Sequence, residues 1–217
     1  MKSNNNLPNK IVESVYSPEL DQLGIDVAEV AFDALLDDGI LKDLPIIGSI
    51  VTLFKGVMDI RDRIFLAKIA RFLFNLSSTP FEERESFKRE IHQNAKVKQK
   101  VGASLVLILE RLDDIEKTDF LAKCFRAYLC NNISFDQFRR LSAAIDTAFI
   151  DDLKTICSER TNVEEEENIC LSNLTKTGFV EFRASNMQDT WNEMGTIKYS
   201  LSPLGKQFVD IINYYNV

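Results

Sequence analysis

Apolar positions recur at helical spacing through most of this chain and give way to strand-like runs only near its end. The clearest segment is Ile60 to Leu76. Phe65, Leu66, Ile69, Phe72, Leu73 and Leu76 share one face of a helical period, with Arg61, Lys68, Arg71 and Asn75 opposite or beside it. This predicts a basic amphipathic helix. Upstream, Asp26, Glu29, Asp33 and Asp37 form a narrow acidic stripe on an otherwise apolar helical pattern from Ile25 to Asp38. Between these two segments lies Leu44 to Phe54, an uncharged run whose Pro45 and Gly48 suggest a helix start. Spanning a bilayer takes about 20 apolar residues, so this run cannot cross alone.

Punctuation divides the rest. Residues 1–16 read as a flexible arm, and Ser17-Pro18 supplies a cap and a first-turn proline for the first element. Thr79 with Glu82 forms a capping box around Pro80 for a helix toward Asn94. The run Leu105 to Leu109 marks a buried helix, Thr118 caps the next one to Leu129, and Ser134 with Gln137 caps a long helix reaching about Ile156. Connections of a few residues imply antiparallel neighbours.

Past Ser158 the pattern changes. A helix starting in the acidic run Val163 to Asn168 precedes Phe179–Phe182 and Thr196–Ser200, which are rich in aromatic and β-branched residues and read as strands. Gly178 suits a left-handed helix cap, and Ser202-Pro203 restart a helix with Leu204, Phe208 and Ile211 or Ile212 inward. The order helix, strand, loop, strand, helix outlines a winged-helix end. The expected fold is mainly α, with a multi-helix bundle over 17–158 followed by a small winged-helix-like α/β module over 159–217.

Composition narrows the partners. The chain of 217 residues carries net charge −7, so nucleic acid or anionic lipid requires a local basic patch. Its polar first residues lack a secretory pattern, which places the expected protein in the cytoplasm. There Cys124, Cys130, Cys157 and Cys170, with no C-x-x-C spacing, stay reduced and act as small hydrophobes.

Little in the sequence points to catalysis. The single histidine, His92, sits in a polar run, and neither phosphate-binding glycine motif occurs. The pairs Asp37-Asp38, Asp113-Asp114 and Asp151-Asp152 fall in or at the ends of helices, where adjacent side chains diverge, and read as solvated faces. The expectation is a non-enzymatic protein needing no cofactor and no metal.

For DNA binding the C-terminal charges have the wrong sign. Residues 159–217 hold nine acids and five bases, leaving Lys176, Arg183 and Lys198 as the candidate phosphate contacts of a winged-helix transcriptional regulator. The wing loop carries no base but does carry Met187, Trp191 and Met194, residue types enriched in protein interfaces. A protein partner is therefore preferred to nucleic acid. Residues 55–74 carry five bases and two acids, and a basic amphipathic helix can lie on an anionic membrane through Arg61, Phe65, Lys68, Arg71 and Phe72. The same pattern also describes the core of a bundle. On the membrane reading, the acidic N-terminal helix would mask this basic one until a trigger released it.

The run from Pro45 to Leu73, together with Lys100-Val-Gly102, Leu112-Asp-Asp114 and the Leu174, Gly178, Leu204-Gly205 ending, resembles uncharacterised bacterial helical proteins grouped with abortive-infection, phage-defence proteins. None of these motifs is catalytic. The resemblance implies an interaction protein working in phage defence through a protein partner or, peripherally, at the inner membrane surface.

Overall fold

A computed structural model describes residues 7–22, 43–54, 59–158, 165–166, 169–184 and 197–215. The chain is mainly helical, with a small antiparallel sheet near its C-terminus. It divides into two compact units, Met1–Arg139 and Arg140–Val217.

The first unit begins with a correction to the arm. Leu7–Val15 is a helix, α1, whose Ile11, Val12 and Val15 are fully buried. It packs on α5 (Ala95–Arg111) and α2 (Pro45–Phe54). Four apolar side chains at helical spacing, Leu7 included, bury enough surface to order a segment that its asparagines and lysines had marked as loose. Ser14 fastens the arrangement, since its Oγ donates to the Lys10 carbonyl and accepts from the Ile46 N–H, each at 3.0 Å.

Ser17-Pro18 starts only a 3-10 turn, Pro18–Gln22. Arg84, fully buried on α4 (Phe81–His92), holds that turn through the Ser17 carbonyl and the Asp21 carboxylate. The same guanidinium also donates to the Thr79 carbonyl. The capping box expected from Thr79 and Glu82 is absent, because α4 starts one residue later with Pro80 as its cap. Thr79 Oγ1 is buried without a hydrogen-bond partner.

Helix α3, Ile60–Ser77, buries Leu66, Ile69, Phe72, Leu73 and Leu76 and packs on α6 (Lys117–Leu129). Its start is fixed by a reciprocal capping box between Asp59 and Asp62. Helix α6 starts at Lys117 rather than after a Thr118 cap, and Thr118 Oγ1 is buried without a partner. Aromatic rings fill the centre of the unit: Phe125 lies 5.5 Å from Phe72, 5.9 Å from Phe87 and 5.3 Å from Phe138, centroid to centroid. Burial pushes the neighbouring Tyr128 hydroxyl up to about 12, with the Glu90 carboxylate adding to the effect.

The expected long helix from Ser134 is two helices, α7 (Phe135–Thr147) and α8 (Ile150–Ser158). Its capping box forms as read, with Ser134 N–H to Gln137 Oε1 at 2.8 Å and Gln137 N–H to Ser134 Oγ at 3.2 Å. The boundary between units falls at Arg139/Arg140 within α7, whereas the sequence placed a domain break near 158. Helix α8 belongs to the second unit because it packs on α9 (Ile169–Leu174) and α10 (Pro203–Tyr214).

In that unit the sheet has the strand order β1-β3-β2, where β1 is Glu165–Glu166, β2 Val180–Ala184 and β3 Ile197–Leu201. The acidic run expected to open a helix instead supplies β1. Both neighbours run antiparallel to β3, whose Lys198 lies opposite Arg183 on one side and Glu166 on the other.

Candidate functional site

The C-terminal ribbon is built by short-range chemistry on either side of it. Helix α9 runs into a 3-10 turn, Thr175–Thr177, and the chain reverses at Gly178, whose φ of 84° favours glycine. Ser202 closes the other end. Its Oγ donates to the Gly178 carbonyl at 2.5 Å and accepts from the Gly205 N–H at 3.0 Å, so one hydroxyl ties the turn before β2 to the first turn of α10. The Phe179 and Phe208 rings stack with centroids 4.5 Å apart.

Register sorts the ribbon. Val180 opposes Leu201, Phe182 opposes Tyr199 and Ala184 opposes Ile197, so these positions share one face. Val180 is buried at the helical end, whereas Phe182 is 65% and Ile197 45% exposed toward the other end. Glu181, Arg183, Lys198 and Ser200 occupy the alternate positions. On the other side of β3, Glu166 is in register with Lys198. Lys176, the third candidate phosphate contact, lies in the 3-10 turn. Met187, Trp191 and Met194 fall outside the described residues, as does the acidic stripe at 26–37.

The proposed membrane face on α3 is arranged differently from its sequence pattern. Phe72 is fully buried. Lys68 is buried too, its Nζ donating to the Leu112 carbonyl and, at 3.3 Å, to that of Glu110, so that it caps the end of α5. Arg71 grips Asp119 with Nε to Oδ1 at 2.6 Å and Nη2 to Oδ2 at 2.5 Å. That hydrogen bonding outweighs burial and raises the guanidinium further. Phe65 is half-buried, and only Arg61 of the five is exposed. Lys68 and Arg71 are thus occupied within the first unit. Exposed apolar surface remains at the start of α3, where Ile60 is 76% and Ile64 48% exposed beside Arg61. Among the described residues no helix is long and apolar enough to cross a membrane.

His92 is exposed, and its Nε2 lies 3.1 Å from the Tyr16 hydroxyl. Asp113 pairs with the buried Lys117 at 2.6 Å, Asp114 accepts from the Glu116 N–H, and Asp152 is buried with Oδ2 unpartnered. Among the described residues no group of three or more His, Cys, Asp or Glu could hold a metal ion. None of the four cysteines is in a disulfide. Composition marks the two long strands but not Phe182, Tyr199 and Ile197 as a face. Their signal is strand alternation combined with a register that places all three on one face.

Comparison with known proteins finds no matching family model, no matching curated protein and no matching solved structure.

Proposed function

We propose that this chain is a non-catalytic interaction protein whose C-terminal unit is a winged-helix-like module engaging a protein partner. The observation that carries the reading is the apolar ribbon face, where Phe182 and Ile197 stand exposed beside Tyr199. Aromatic and aliphatic anchors of this kind favour protein contacts, whereas phosphate binding requires an excess of Lys and Arg. The strand order, with β1 on the far side of β3 from β2, supports the winged-helix comparison. The resemblance to abortive-infection proteins extends the proposal to a cytoplasmic phage-defence effector in bacteria.

The test compares the tagged full chain with Ile197→Asp in a bacterial host. A protein captured by the wild type and lost from an equally stable variant, with phage plating restored by the same change, is the expected result. Binding of random duplex DNA at low salt that Arg183→Ala and Lys198→Ala abolish would replace this reading with that of a transcriptional regulator.

A second reading keeps a peripheral membrane contact, favoured by Ile60 and Ile64 lying one helical turn apart and exposed beside Arg61. Flotation with anionic vesicles tests it. Ile60→Ser with Ile64→Ser should abolish flotation, and unchanged flotation removes this contact.

A further inference from the structure

We draw no further inference here: the strongest candidate, the surface patch at the start of α3 where Ile60 and Ile64 stand exposed beside Arg61, belongs to the face already read as a peripheral membrane contact, and nothing in the structure shows what covers it.

Discussion

Gly102 on α5 lies so close beneath the carbonyl of Pro8 on α1 that a Cβ at this position would overlap the Pro8 oxygen. The obstacle is backbone, which cannot rotate away as a side-chain end can. Gly102→Ala should therefore displace α1 and cost about 3 kcal/mol or more, despite alanine's better helix propensity. Urea unfolding measures it, with Ala103→Gly at the neighbouring exposed site as a propensity control. A neutral or stabilising Gly102→Ala would mean that α1 is not held against α5.

Arg71 and Asp119 form a two-pronged pair that Asn75 completes, its Nδ2 donating to Asp119 Oδ1 at 2.9 Å. About a third of each charged side chain is exposed, so solvent screens the attraction. A double-mutant cycle of Arg71→Ala and Asp119→Ala should give a coupling of about 1 kcal/mol that diminishes in high salt. Zero coupling would mean that the pair adds nothing to stability.

Lys68 and Phe72 look inward from a helix whose pattern also suits a membrane. Lys68→Met should cost about 1–3 kcal/mol by leaving the Glu110 and Leu112 carbonyls without their ammonium donor. Phe72→Ala should cost about 3–5 kcal/mol through the cavity left beside Phe125. While the protein remains folded, neither change should alter vesicle flotation. A selective loss of flotation would show that the helix turns outward on lipid.

Glu13 supplies a pH signature. Burial acts to raise its carboxyl, but hydrogen bonds and attraction from Lys98 and Lys10 together outweigh it and hold the group below the usual range. A depressed carboxyl contributes stability that is present above its unfolded pKa, about 4.3, and lost as pH falls through the lower folded value. Glu13→Gln should accordingly unfold at lower urea than the wild type at pH 7, and the gap should close by about pH 2. A gap that persists at pH 2 would assign the loss to packing instead.

Helical period disclosed what faces the core but not what polar side chains do there. The buried residues Leu66, Ile69, Phe72, Leu73 and Leu76 follow directly from spacing on α3. Lys68 does not, because a long aliphatic stem can pass through apolar neighbours and deliver its amine to carbonyls that only tertiary packing brings near. Arg84 was equally silent, since its partners Ser17 and Asp21 are distant in sequence. Strand β1 was missed because glutamates have low strand propensity, which the edge of β3 overrides. On the ribbon, alternation located the strands, while the exposure of Phe182 and Ile197 depended on where helical cover stops.

The middle position of β3 also sets an order of events during synthesis. Neither β1 nor β2 has its partner until residues 197–201 have been made, because β3 is the strand that both require. The ribosome therefore finishes most of the first unit's helices while two strands of the second still wait. A chain halted after Ala184 would carry β2 with both edges unpaired, a state open to chaperones, proteases or another nascent copy.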